Sequence, residues 1–251
     1  MAIRDGNGPL LIGASGGSGT RFLVRVLQEA GYFMGSNLNE SLDEKSFAAF
    51  YGHHLNTYLA DPSDFQGNYL IQKEFRQLVD RFASCVPDAQ CQTWGWKNPR
   101  SMLLLPLIHC VLPEMRFIHL VRDGRYMAYS NNQAQLLKHG RIMLENFDPP
   151  VYSPVCAIDF WQKANLGVAR FGQSVIGRRY CWMRYEDLVC GDPLVLSPLA
   201  KFLDVNQTDL EMIIARLSNP PKQEVWRCQS PEELAFVSRV GYAGLSYFGY
   251  V

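Results

Sequence analysis

The sequence predicts an α/β fold, a central parallel β-sheet flanked by helices, on three observations. Short apolar runs near residues 9–13, 93–96, 115–121 and 179–183 are separated by helical patterns. Strands alternating with helices imply right-handed βαβ crossovers, and therefore parallel neighbours. In such sheets ligands bind beyond the carboxyl ends of the strands. The loop at 14–20, Lys97, Arg122 and Arg184-Tyr185 all fall at those ends.

The elements follow in order. Pro9-Leu10-Leu11-Ile12 supplies the first strand, and Phe22, Leu23, Val26, Leu27 and Ala30 mark a helix over about 20–30, closed by Gly31. A polar stretch leads to helical patterns at about 44–60 and 70–84, broken at Asp61-Pro62. Thr93-Trp94-Gly95-Trp96 is a short strand, followed by Lys97-Asn98-Pro99 and a helix at about 100–111. Residues 115–121 read as a buried strand, Asp123-Gly124 as a turn, and the next helix is expected from near Arg125 to about 138. Residues 140–154 read as a long loop or lid. A helix at about 155–174 precedes the strand at 179–183, and shorter helices are expected at 193–203, 207–217 and 231–239.

A length of 251 residues suits one large domain spanning 1–251. With 24 basic and 24 acidic residues the net charge is zero, which speaks against a general nucleic-acid or anionic-membrane binder. Any anion site must then be a local gathering of charge. Seven Cys with no C-x-x-C pair predict reduced thiols rather than zinc ligands. No signal-peptide core or run of membrane-spanning length is visible, so the expected location is the cytoplasm.

Residues 13–21, GASGGSGTR, form the first candidate site. Gly16, Gly17 and Gly19 allow a backbone that presents successive N–H groups to a phosphate or sulfate at the positive end of a helix. Ser15, Ser18 and Thr20 add hydroxyls. A P-loop nucleotidase would carry Lys before the hydroxyl residue, and here Gly19 stands there. The second candidate is RFIHLVRDGRYMAYS, 116–130, in which Arg122 and Ser130 are eight positions apart. A helix folding back beside its strand would bring them together around a second phosphate. A surface ion pair of Arg122 with Asp123 or Glu186 is the alternative.

Together the 13–21 loop, Lys97-Asn98-Pro99, the Arg122–Ser130 spacing and Tyr185-Glu186-Asp187-Leu188 resemble the sulfotransferases that use 3′-phosphoadenosine 5′-phosphosulfate (PAPS). The resemblance covers roughly residues 9–205, with the motifs in the family's order. It implies a P-loop-type nucleotide-binding fold, PAPS as co-substrate with 3′,5′-ADP released, and no metal. It places the 5′-phosphosulfate on the 13–21 loop and the 3′-phosphate on Arg122 and Ser130. Phe22 matches a position where the family stacks an aromatic on adenine, and Tyr185 a residue touching the base edge. Lys97 matches the Lys beside the sulfuryl group.

For the base, the His that cytosolic members carry after this Lys is replaced by Asn98-Pro99. Other branches use a Glu about twenty residues beyond the loop, which points to Glu40, with Asp43, His53 and His54 in reserve. Ser41 and Glu44 also form a capping-box pattern that would make Glu40 a flanking charge. The family's loop cation aligns with Gly17, and Arg21 is the nearest substitute. Arg239-Val-Gly241-Tyr-Ala-Gly244 is a partial analogue of the family's basic closing segment. The expected acceptor is a small-molecule or glycan hydroxyl or amine, faced by the 140–154 segment and the aromatic stretch from Tyr51 to Tyr58. A P-loop kinase and a non-catalytic nucleotide-binding protein are the alternatives.

Overall fold

The computed structural model describes residues 8–63, 68–90, 93–145, 147–150, 152–218 and 225–251. Cys91, the first seven residues and part of the 140–154 stretch lie outside the described residues.

Four parallel strands form the sheet among the described residues: β1 (Leu10–Gly13), β2 (Gly95–Lys97), β3 (Arg116–Val121) and β4 (Tyr180–Arg184), in the order β2-β1-β3-β4. β1 is central, pairing Ile12 with Lys97 on one side and with Ile118 on the other. The first crossover leaves β1 toward β2 and later strands build on the opposite side, which puts a switch point at the C-terminal end of β1. β1, β2 and β3 are wholly buried because both faces are covered.

Side chains divide the core by alternation. Leu10 and Ile12 point to the layer containing α1 (Thr20–Glu29) together with Leu196, Leu199 and Leu210. Leu11, Trp96 and Phe117 point to the other layer. That layer holds α2 (Ala48–Ala60), α3 (Tyr69–Ala83), α4 (Leu105–Val111) and α7 (Pro154–Phe171). Between α4 and α7 come α5 (Gly124–Ala128) and α6 (Ala134–Met143). The remaining helices are α8 (Tyr185–Cys190), α9 (Pro193–Leu203), α10 (Gln207–Leu217), α11 (Pro231–Val240) and α12 (Tyr242–Tyr247).

One expected helix divides in two. The helix expected from near Arg125 to 138 is α5 and α6, separated by a bend at Ser130-Asn131-Asn132. The Gln133 amide donates to the carbonyls of Met127 (2.8 Å) and Ser130 (2.7 Å), and Asn132 N–H donates to Ser130 Oγ (3.2 Å). These side chains offer the backbone an alternative to the helical ladder. Because α6 continues to Met143, the irregular segment before α7 is also shorter than expected. α7 ends through a π-type turn over Gly172–Ile176, where Gly177 turns the chain at φ 62°.

Candidate functional site

The turn after β1 needs glycine at two places. Gly17 has φ 98° and Gly19 φ 86°, the left-handed region that L side chains rarely occupy. A Cβ on Gly19 would also lie 2.2 Å from the Tyr185 ring, so the glycine lets the first residue of α8 close over the loop. Gly19 caps α1 with no side-chain hydrogen bond, and the first turn carries no acidic residue. The helix therefore presents its positive end and first N–H groups without a built-in anion. Ser15, Ser18 and Thr20 are buried in this turn. Gly16 N–H donates to Gln135 Oε1 at 2.8 Å.

Arg122 follows the last residue of β3. Its Nη1 donates to the Gly17 carbonyl at 3.2 Å. Its guanidinium carbon lies 3.3 Å from the Tyr126 ring centre and 4.6 Å from that of Tyr185. The carboxylates that could have neutralised it are engaged elsewhere. Asp123 caps α5 and holds Arg125, with Arg125 Nη2 at 2.7 Å. Glu186 accepts from Asp123 N–H and from the Tyr250 hydroxyl. Among the described residues Arg122 forms no ion pair, so a cation fixed by two rings and a carbonyl remains available to an anion.

Ser130 is brought to the same place by a route other than the expected one. It lies in the bend after α5, not on a continuous helix. Its Oγ sits 3.7 Å from where a Gly17 Cβ would stand, so Arg122 and Ser130 meet at Gly17. Tyr185 and Phe22 pack edge to face with ring centres 6.4 Å apart, both half-buried.

Lys97 ends β2, and 1% of its side chain is exposed. Its ammonium donates to the Ser41 carbonyl at 2.5 Å and to Asp43 Oδ1. Burial lowers its pKa, Asp43 opposes that shift, and the Arg21 charge reinforces it. Arg21 itself is exposed on the first turn of α1 and has no ion-pair partner among the described residues. The strand-end lysine and the helix-start arginine thus share one electrostatic neighbourhood.

The 35–45 segment lies over Lys97 and is fixed by its own polar groups. Asn39 Oδ1 accepts from the N–H groups of Ser41 and Asp43, both at 2.9 Å. Buried Glu44 accepts from Ser46 N–H and Oγ, capping the turn before α2. The cap is therefore at Glu44, on its own side chain rather than through Ser41. Glu40 is exposed, whereas Asp43 touches Lys97. His54 faces Glu74 on α3 at 3.0 Å, and His53 is exposed beside it.

One expectation is corrected. Tyr51 and Tyr58 are buried core residues, Tyr51 through its hydroxyl with Ser101 at 2.8 Å, so neither tyrosine offers a face to an acceptor. In the partial analogue of the closing segment, Gly241 and Gly244 are helix-packing glycines. A Cβ there would strike Ile158 at 2.4 Å or Trp161 at 2.6 Å, while Arg239 is exposed near Phe236.

Sequence reasoning missed Gln135, Asn165 and Tyr126, which touch the loop or Arg122. No spacing rule singles them out; only the bend before α6 hints that polar residues there turn inward. Among the described residues, no group of three or more His, Cys, Asp or Glu is placed to hold a metal ion. No helix there is long and apolar enough to cross a membrane.

A family model described as the sulfotransferase family matches residues 9–209. Among solved structures, the sulfotransferase domain of the Synechococcus PCC 7002 olefin synthase is similar at 18% identity and TM-score 0.47, covering 94% of this chain and 89% of that one. The sulfotransferase STF1 of Mycobacterium tuberculosis H37Rv is similar at 12% identity and TM-score 0.48, covering 94% and 76%. Retinol dehydratase, solved with androsterone and the inactive cofactor PAP, is similar at 12% identity and TM-score 0.46, covering 94% and 80%. No curated protein matches significantly.

Proposed function

The chain belongs to the sulfotransferase family, and from that premise we propose that it moves a sulfuryl group from PAPS to an acceptor hydroxyl or amine. One observation carries the choice of donor: the rim offers two anion-binding places, not one. The start of α1 with Ser15, Gly17, Ser18, Gly19 and Thr20 suits the 5′-phosphosulfate, the Gly16 N–H being held by Gln135 and the Ser18 N–H by the Ser15 carbonyl. Arg122, without an ion pair among the described residues, suits with Ser130 a separate 3′-phosphate. Phe22 and Tyr185 frame the space for the adenine.

The reaction is an in-line displacement. The acceptor oxygen or nitrogen forms a bond to sulfur as the bond from sulfur to the phosphate oxygen breaks, and 3′,5′-ADP leaves. Lys97, Arg21 and the first N–H groups of α1 stabilise the charge spreading over the sulfuryl and leaving oxygens. A sulfuryl group carries less charge than a phosphoryl group, so these donors suffice without a metal. The acceptor's proton passes to a carboxylate of the 40–43 segment. Contact favours Asp43 over Glu40, because Asp43 already lies against the Lys97 ammonium. Lys97 must then exchange Asp43 and the Ser41 carbonyl for the sulfuryl oxygens.

A small molecule or glycan is the proposed acceptor, and the free thiols of Cys85, Cys110, Cys156, Cys181, Cys190 and Cys228 suit the cytoplasm. Thermal-shift measurements test the donor. Saturating 3′,5′-ADP should raise Tm by several degrees, whereas ATP–Mg²⁺ and NAD should not; at about 100 times Kd the stabilisation is about 2.7 kcal/mol. A shift with ATP–Mg²⁺ alone would return the reading to a kinase. A shift with 3′,5′-ADP, without sulfate transfer to a broad acceptor panel, would favour a non-catalytic nucleotide binder.

A further inference from the structure

We propose that Tyr180, His119 and Asn165 are positioning residues that aim the Ser15 hydroxyl proton at the anion on the glycine loop. The proposal rests on the reading of that loop given above. The four side chains form one hydrogen-bonded chain from sheet to helix to loop. Tyr180 Oη meets His119 Nδ1 at 2.8 Å, His119 Nε2 meets Asn165 Oδ1 at 2.8 Å, and Asn165 Nδ2 reaches Ser15 Oγ at 3.1 Å.

The direction of every link is set by one backbone group. Asn165 Nδ2 also lies 2.7 Å from the Trp161 carbonyl, which can only accept. That fixes which end of the amide is nitrogen, so Oδ1 faces His119 and must accept. His119 therefore carries its proton on Nε2. Burial holds its pKa down at about 4, so the ring is neutral and Nδ1 accepts from the Tyr180 hydroxyl. At the other end Asn165 donates to Ser15, whose own proton must point elsewhere. Among the described residues nothing accepts it.

The surroundings say where that proton goes. Ser15 lines a cavity of about 20 Å³ whose polar side is Gly16, Asn132, Gln133 and Gln135 and whose other side is apolar, Met127, Leu136 and Trp161 among it; it has room for one water molecule or one oxygen of an anion on the polar side. His119 is 0% exposed, Asn165 1% and Ser15 5%. The chain holds one arrangement, because flipping the Asn165 amide would set its Oδ1 against the Trp161 carbonyl and moving the His119 proton to Nδ1 would set Nε2 against Asn165 Oδ1, each leaving two acceptors face to face. The hydroxyl is thus a donor set before the ligand arrives. It also explains two polar residues in the sheet–helix core, His119 and Asn165, that packing alone would fill with apolar side chains, with the partly buried Tyr180 at the far end.

The test compares 3′,5′-ADP with adenosine 3′-monophosphate, which lacks the loop-bound phosphate, by titration calorimetry. Ser15→Ala should weaken 3′,5′-ADP about tenfold and leave the 3′-monophosphate within twofold. Asn165→Asp puts an acceptor opposite Ser15, reverses its hydroxyl, and should cost 3′,5′-ADP at least as much. In a Ser15→Ala background the same Asn165→Asp change should add less than twofold. An undiminished cost there would mean that the new charge acts directly, and would overturn the positioning role. So would an equal loss for both nucleotides, the mark of a merely structural residue. Ser15→Ala removes a single oxygen and keeps the test decisive should Asn165→Asp fold poorly. If the wild type prefers 3′,5′-ADP and Ser15→Ala leaves that preference intact, the positioning fails while the loop reading stands. If the wild type binds both equally, the loop reading itself falls.

Discussion

The two ends of the rim hold their cations in opposite states. Arg122 is partly exposed, has no carboxylate partner among the described residues, and is fixed by two tyrosine rings and a backbone carbonyl. Lys97 is buried and its charge is already answered by Asp43 and the Ser41 carbonyl. An unpaired, immobilised guanidinium can meet an anion with little reorganisation, which suits a binding contact. A buried ammonium in an ion pair must break one interaction to make another, which suits a group that acts only as charge develops. On the proposed function the two ends divide affinity from chemistry, and substitutions at each end should act on different constants.

The largest effect is expected at the buried end. Lys97→Ala should lower kcat by about 10²–10³ while 3′,5′-ADP affinity stays within a few-fold, as removal of a transition-state donor does. A matching loss of affinity, read by calorimetry, would erase the division between the ends. Asp43→Asn should also lower turnover, by about 10² if it takes the acceptor's proton, while Glu40→Gln changes kcat by a few-fold at most. Steady-state rates showing the reverse would give the base role to Glu40, where sequence reasoning placed it.

At the open end the expected change is in binding. Arg122→Ala should weaken 3′,5′-ADP about ten- to hundredfold, and 5′-AMP far less, since a charged hydrogen bond contributes roughly 1.5–3 kcal/mol. Equal losses would remove the 3′-phosphate from Arg122. The smallest effect belongs to Arg21, between the two ends. Arg21→Ala should raise KM for PAPS a few-fold, lower kcat modestly, and raise the Tm of the free protein slightly, because a cation at a helix start opposes the dipole. Gly17→Lys should not restore the loss, since φ 98° strains any L side chain there.

The sheet was legible because its signals are local: each strand is an apolar run ending in a turn, and Lys97 and Arg122 stand one step beyond or at such an end. Glycine positions in the first turn were legible for the same reason. The bend at Ser130 was not, because Tyr126-Met127-Ala128 continues a helical pattern, and what interrupts it is the Gln133 side chain folded back onto two carbonyls together with the Ser130 hydroxyl accepting from Asn132 N–H. Tyr51 and Tyr58 misled in the opposite direction: aromatic residues among polar ones look like a surface, yet α2 turns them inward. Asn165 lies 150 positions from Ser15, and a contact at that separation depends on how α7 packs on the sheet. The choice between Glu40 and Asp43 likewise turns on Asn39, whose side chain folds the segment so that Asp43 points at Lys97.

On the proposed function, the rim binds two separate anionic groups of one nucleotide without a metal. Calorimetric titration of the wild-type protein with 3′,5′-ADP, 5′-AMP and ATP–Mg²⁺, in chelator for the first two, tests it most directly. The expected result is 3′,5′-ADP binding at least tenfold tighter than 5′-AMP, unaffected by chelator, with ATP–Mg²⁺ the weakest. Equal binding of 3′,5′-ADP and 5′-AMP, or a preference for ATP–Mg²⁺, would contradict it.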